Sequence, residues 1–445
     1  MASAAEQMAA SLNLGAFGKA TELKKRIWFT LGALIVFRLG TYIPVPGIDA
    51  SVMAQQMSQN GGGILGMFNM FTGGALGRMT IFALNVMPYI SASIIIQLMT
   101  AAVPALEALK KEGDSGRQKI TQYTRYLTVL IAAVQAYGIS VGLTAMKTQL
   151  GPAVMDPGLM FTFTCIVSLV GGTVFLMWLG EQITSRGIGN GMSLIIFAGI
   201  VANLPVAVAN LLELGRTGAL STVFILGFLV IGLLVIAFVV FMERAQRRIL
   251  VQYPKRQVGQ KMFGGDSTHM PLKVNTSGVI PPIFASSLLL IPATIVGFSH
   301  GGPSWLQFVA HELNHGEPGY MILFAALIIF FSYFYTAVVF NPEETADNLK
   351  KYGGFVPGIR PGSNTAKYFD TVLTRLTTIG AAYLCVVCLM PEFVLSNFTL
   401  PFYLGGTSLL IIVSVTMDTV AQIQSHLLAH QYEGLIRRNR GKGRK

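Results

Sequence analysis

Ten runs of mostly apolar residues recur along the chain, at 27–43, 79–102, 122–145, 159–180, 191–212, 220–242, 277–298, 320–340, 374–395 and 403–424. Each is close to the roughly 20 residues that a helix needs to cross the hydrocarbon of a bilayer. Polar positions gather between them, above all in three charged stretches at 110–125, 243–275 and 341–375. An eleventh apolar piece, 65–77, is too short to span. The pattern predicts an all-α polytopic membrane protein with ten transmembrane helices and one non-spanning element.

The short piece and the span after it, 65–99, form the most irregular apolar stretch. Thr72-Gly73-Gly74 interrupts it, and after Arg78 it is predicted to become a long helix carrying Thr80, Pro88, Ser91 and Ser93. Irregular backbone at membrane depth is tolerated only where protein buries it or water fills a cavity beside it. The residues alone leave two readings open: a segment that fills and lines a pore, or a re-entrant loop with a packing role.

Composition agrees with the membrane class. Of 445 residues, 52% are hydrophobic and 12% charged, about half the charged share of a soluble protein, and the mean hydropathy is +0.59. The net charge of +12 raises nucleic acid as a partner, but its placement argues for topology. Of 32 Lys and Arg residues, 28 fall in the first 26 residues, the 4/5 turn, the three charged stretches and the tail at 425–445. The positive-inside rule then sets both termini and these loops in the cytoplasm. Residues 1–26 lack the pattern of a cleavable signal peptide and read as an amphipathic interfacial helix leading into a retained span. The three cysteines lie in apolar runs, so Cys385 and Cys388, spaced C-x-x-C, read as helix-face residues.

Two loops hold more than topology requires. Ile249-Leu250-Val251, with Gly264-Gly265 further on, predicts a strand pair in 243–275. The 341–375 loop starts as a helix over 343–351. It then presents Arg360 between two Pro-Gly turns, Pro357-Gly358 and Pro361-Gly362, a stiff tip suited to docking an acidic partner.

A short repeat links the halves. Val86-Met87-Pro88-Tyr89-Ile90-Ser91-Ala92-Ser93 and Val279-Ile280-Pro281-Pro282-Ile283-Phe284-Ala285-Ser286 share V-x-P-x-I-x-A-S, in the second helix of each set of five. An odd number of spans per half inverts the second half, and inverted-repeat folds place their working site between halves, on Gly/Pro-interrupted helices.

No acidic residue sits mid-span. Glu181 and Asp418 lie near span ends, and Arg38 lies near the outer end of span one, where it is expected to snorkel. This argues against proton coupling, while a sodium-coupled transporter of inverted-repeat type remains an alternative. His311-Glu312-Leu313-Asn314-His315 matches the H-E-x-x-H zinc pattern but lacks an evident third ligand. Gly187-Ile188-Gly189-Asn190-Gly191 looks like a dinucleotide loop, yet it follows no strand; it is predicted to be a tight turn between spans four and five.

Several longer motifs carry a resemblance. They are Tyr42-Ile43-Pro44-Val45-Pro46-Gly47, the run from Met67 to Leu76, Met87 to Ser93, Leu179 to Gly191, Phe355 to Gly362, and Phe402 to Ser408. In order and spacing the chain resembles bacterial members of the SecY/Sec61-alpha family across nearly its whole length.

The resemblance implies two inverted five-helix halves, 27–215 and 216–424, around a central pore. It implies a protein-conducting channel of the bacterial plasma membrane that passes unfolded secretory chains and releases membrane proteins sideways, with no cofactor and no enzymatic step. A plug would occupy 65–77, including Phe68, Asn69, Phe71, Gly73 and Gly74; its glycines lead us to expect that it leaves without breaking tight packing. Val86, Ile90, Met192, Ile196, Ile283 and Ile411 would form the pore ring, an apolar gasket that seals by dewetting. Ser91, Gln135 and Asn275 would sit at the lateral gate. Arg256, Lys261, Arg360, Pro361 and Gly362 would help dock the ribosome and the motor ATPase SecA. SecE and SecG, signal sequences, nascent chains and membrane lipid are the remaining implied partners.

Overall fold

The computed structural model describes residues 21–49, 51–53, 69–145, 147–148, 151–152, 154–218, 221–253, 256–258, 261–263, 267–298, 317–397 and 405–442. Residues 1–20 of the expected N-terminal interfacial helix, Phe68, Gly264-Gly265 and the H-E-x-x-H match lie outside these residues, while 21–26 continue directly into the first described helix.

Among the described residues there are twelve α-helices of eight residues or more: α1 (Thr21–Gly40), α2 (Met87–Ala102), α3 (Pro104–Lys111), α4 (Asp114–Ala145), α5 (Leu159–Arg186), α6 (Gly191–Arg216), α7 (Thr222–Arg244), α8 (Ile280–Phe298), α9 (Pro318–Val339), α10 (Pro342–Lys351), α11 (Ser363–Asn397) and α12 (Gly406–Lys442). Seven are long and apolar enough to cross a membrane. An eighth span arises if α2 and α3, bent by 98° at Val103-Pro104, are one broken crossing. The 20 residues of α1 and 19 of α8 occupy the other two predicted positions. Exposed Trp28, Leu159, Val223 and Phe393 mark outward faces, as lipid solvation requires.

The second predicted span needs correction. Its helix begins at Met87, not at position 79, because 72–86 is a run of turns. Gly73, Gly74, Met79 and Asn85 all have positive φ there, which a continuous right-handed helix excludes. Pro88 then sits in the first turn of α2, where its missing N–H costs no hydrogen bond. The last span also differs: α12 runs on unbroken from the membrane segment into the basic tail.

The predicted tight turn between spans four and five is present. Asn190 caps α6, its side chain accepting from the amides of Met192 and Ser193, and the Gly191 amide donates to Thr184 Oγ1 at 2.9 Å. Such a cap contributes about 1 kcal/mol. Arg125 on α4 grips Glu181 on α5 with two bonds of 2.7 and 2.8 Å. Both side chains are partly exposed, so the pair contributes about 1 kcal/mol or less.

In the first half α2 packs on α4 and α4 on α5; in the second α8 packs on α9 and α9 on α11. The halves meet where α8 lies against α2 and α4 and where α6 lies against α12. One continuous apolar cluster crosses that seam, including Phe37, Leu176, Ile195, Phe324 and Leu410.

The predicted strand pair exists. β3 (Gln246–Gln252) and β6 (Ser267–Lys273) pair antiparallel with Ile249 opposite Met270, around an inner hairpin of β4 (Arg256–Val258) and β5 (Lys261–Phe263). The 341–375 loop packs on this ribbon: Gln252 and Phe355 exchange backbone hydrogen bonds of 2.9 Å. Ile249, Leu272, Val356, Phe369 and Leu373 close a small core beneath them.

Candidate pore, plug and gate

The six predicted ring residues come from four separate segments and share the apolar cluster at the seam. Val86, Ile90, Ile196 and Ile411 are buried in it, and Met192 and Ile283 pack against it, half-buried. The repeat explains part of this. Val86 and Val279 each immediately precede a helix, Pro88 and Pro281 each take its second position, and Ile90 and Ile283 follow its first turn. Two copies of one local sequence deliver equivalent side chains to one cluster.

The described part of the predicted plug, 69–77, is bonded to its surroundings at several points. Asn69 Oδ1 accepts from the Gly77 amide at 2.7 Å. The buried Asn85 donates to the Phe71 carbonyl at 3.0 Å, and Asn203 on α6 to the Met70 carbonyl at 3.2 Å. Arg38 Nη1 donates to the Gly73 carbonyl at 2.8 Å. Gly199 on α6 lies so close that a Cβ there would collide with the Phe71 carbonyl oxygen. Phe71 and Gly73 are buried, and Asn69 and Gly74 half-buried.

The gate residues are not joined to one another. Ser91 is buried on α2, and Gln135 lies half-buried on α4 with its Oε1 lacking a partner. Asn275 is buried and turned to its own half: its amide donates to Glu243 Oε1 at 2.7 Å and to the Gly278 carbonyl at 3.0 Å, and its oxygen accepts from Ser277 at 3.1 Å. Polar contacts across the seam include Ser287 Oγ to Met87 Sδ at 3.8 Å, the Gly189 amide to Gln422 Oε1 at 2.8 Å and Lys110 Nζ to the Val338 carbonyl at 3.4 Å.

Of the docking residues, Arg256 and Lys261 lie on β4 and β5, opposite Phe263 and Val258. Arg360 and Pro361 are exposed at the tip, with Gly358 at φ 82° and Gly362 at φ 104°. Thr365 Oγ1 donates to the Arg360 carbonyl at 2.9 Å and braces the turn.

Sequence reasoning missed Asn85, Asn203, Met87, Ser287 and Glu243. A usable signal existed for three of them: two asparagines inside apolar runs and a carboxylate at a span end demand partners, because an unpaired polar group in hydrocarbon is costly. Among the described residues no group of three or more His, Cys, Asp or Glu side chains could hold a metal ion.

Ten helices in two halves, an apolar cluster at their seam and a buried irregular segment beside it define a multi-pass membrane protein with a channel fold. A structure described as that of a protein-conducting channel matches with a TM-score of 0.66 at 18% identity, covering 91% of this chain and 92% of that one. Sec61 in a canine ribosome-channel complex from the endoplasmic reticulum matches with a TM-score of 0.62 at 17% identity, covering 91% and 92%.

The SecY family model matches residues 80–420. Protein translocase subunit SecY of Escherichia coli K12 is 57% identical over 424 residues, 95% of this chain and 96% of that protein. The subunit of the same name from Rickettsia conorii is 55% identical over 417 residues, 94% and 96%. The chain belongs to the SecY family.

Proposed function

We propose that this chain is the channel-forming subunit of a bacterial protein translocase. It passes unfolded secretory chains across the plasma membrane and lets apolar segments leave sideways into lipid, with both termini and the basic loops in the cytoplasm. The observation that carries this reading is the convergence of Val86, Ile90, Met192, Ile196, Ile283 and Ile411 on one apolar cluster at the seam. A pore for any sequence needs a compliant ring without specific polar sites, and an apolar ring excludes ions by dewetting.

The halves are 27–215 and 216–424. Segment 65–77 is the plug, and its described part already lies against α6. The lateral gate opens where α8 leaves α2 and α4, past Ser91, Gln135 and Asn275; an apolar segment then chooses lipid by its own transfer free energy. SecE clamps the halves and SecG completes the complex. The motor ATPase SecA and the ribosome dock on the braced platform that carries Arg256, Lys261, Arg360, Pro361 and Gly362, and signal sequences of nascent chains open the gate. The chain carries out no covalent chemistry itself; the driving force comes from its partners.

The test is transport by the purified complex in proteoliposomes with SecA and ATP. A secretory precursor should become protease-protected, and a stalled precursor should crosslink to a cysteine at position 90. Motor-independent uptake of a small solute without precursor transport would overturn the reading in favour of a secondary transporter.

A further inference from the structure

Three carbonyls of the plug segment are gripped in the same manner by three different parts of the molecule. The Met70 carbonyl receives Asn203 Nδ2 from α6, the Phe71 carbonyl receives Asn85 Nδ2 from the turn before α2, and the Gly73 carbonyl receives Arg38 Nη1 from α1. In each case a side-chain donor meets a main-chain oxygen. Arg38 is itself set in place: its Nη2 donates to Tyr42 OH at 3.0 Å and its guanidinium lies 5.0 Å from the Tyr42 ring centre. Arg78, 4.3 Å from the same ring, donates to the Thr41 carbonyl at 3.4 Å. Tyr42 is thus held between two arginines.

Opposing features load the same region. Met79 and Asn85 hold left-handed backbone without being glycine, with φ 46° and 49°, a conformation that costs L-residues energy. Asn85 is fully buried, and its Oδ1 has no partner. The packing leaves the plug segment seated but not relaxed.

We propose that Arg38, Asn85 and Asn203 form a three-donor clamp on the plug's main-chain carbonyls, and that this clamp, rather than the apolar ring alone, sets how readily the channel opens. The inference rests on the proposed channel function and deepens it. The clamp binds groups that every polypeptide carries. Once the plug departs, the same donors face the vacated space, where carbonyls of a passing chain, or water, replace the plug's own. Exchange of equivalent hydrogen bonds keeps the net cost of opening small although the closed state is well bonded.

The experiment uses the complete complex in proteoliposomes or planar bilayers. Four variants are compared with the wild type: Arg38→Ala, Asn203→Ala, both together, and Arg38→Lys, which keeps a cationic donor. Each single loss should raise resting ion conductance several-fold, the double about tenfold or more. Transport of a precursor with a weakened signal sequence should rise in parallel, and Arg38→Lys should largely restore the seal.

Unchanged conductance in the double variant, in complexes that still transport a normal precursor, overturns the clamp. If Arg38→Ala does not accumulate, Asn203→Ala decides alone, since it removes one half-buried side chain on α6 and leaves the Tyr42 stack intact. Failure of the wild-type complex to transport any precursor would instead overturn the proposed function.

Discussion

The two copies of V-x-P-x-I-x-A-S start α2 and α8 alike, yet the chain reaches them by opposite routes. Before α2 lies a buried run of turns, 72–86, with side chains from α1 and α6 bonded to carbonyls at and just ahead of it. Before α8 lies the turn 274–279, descending from the β3–β6 ribbon and stitched by Asn275 to Glu243. The shared octapeptide determines where each helix begins and where its isoleucine points. What precedes it decides whether that helix start adjoins the buried run of turns or the β3–β6 ribbon.

Substitutions on the two sides should therefore separate two properties. The largest effect is expected from Arg360→Glu on the platform. Reversing the charge of an exposed, braced tip should cut SecA-driven precursor transport by more than about tenfold while resting conductance stays at the wild-type level. Unaltered transport would remove Arg360 from the docking surface.

On the seal side, Gly199→Val drives a side chain into the Phe71 carbonyl and should unseat the plug segment. Overpacking of this kind costs about 1–3 kcal/mol, so resting conductance should rise by about tenfold or more in the same assay. A tight channel would mean that the α6 contact does not hold the plug.

Ile90→Gly and Ile283→Gly test the equivalence of α2 and α8 at their matching starts. If both isoleucines belong to one ring, the single variants should leak to a similar, smaller extent, and the double should leak more. A leak from only one of them would show that the repeat is equivalent in sequence position but not in function.

Two thermal-unfolding measurements sharpen the picture further. Asn275→Leu leaves the half-buried Glu243 carboxylate without its amide donor and should lower stability by about 1–3 kcal/mol. Gln135→Leu removes an oxygen that has no partner and should be neutral or stabilising by about 1 kcal/mol. A marked loss for Gln135→Leu would reveal a partner for Gln135 at the seam.

Much of the fold was legible in the sequence because the bilayer imposes simple rules. Apolar length locates the helices, and each of the ten predicted positions holds one. Turn chemistry foresaw the strand pair in 243–275, the exposed tip at Arg360 and the capped turn at Asn190. The start of α2 was not legible. Residues 81–86 are apolar apart from Asn85, and hydropathy cannot distinguish a helix from a buried run of turns. The signal was present only as Gly73, Gly74 and Asn85, residues that tolerate positive φ; Met79 gave no sign.

The candidate site divides along the same line. The ring residues were identified by resemblance, and part of the motif behind them is a local repeat, so the sequence carried that information. The gate was read less well. Asn275 is bonded to Glu243 within its own half, a pairing the sequence did not disclose, and Ser287 and Met87 meet across the seam. Pairings between residues 32 and 200 positions apart leave no trace in local pattern.

By itself, then, the sequence determined where the apolar helices lie and the two matching helix starts, because these depend on transfer free energy and local backbone preference. Tertiary structure alone decided that the segment around Met70 to Gly73 is bonded to side chains from α1, α6 and the turn before α2. Arg38, Asn85 and Asn203 lie far apart in the chain, and only when the helices pack do their donors meet three carbonyls of one backbone segment.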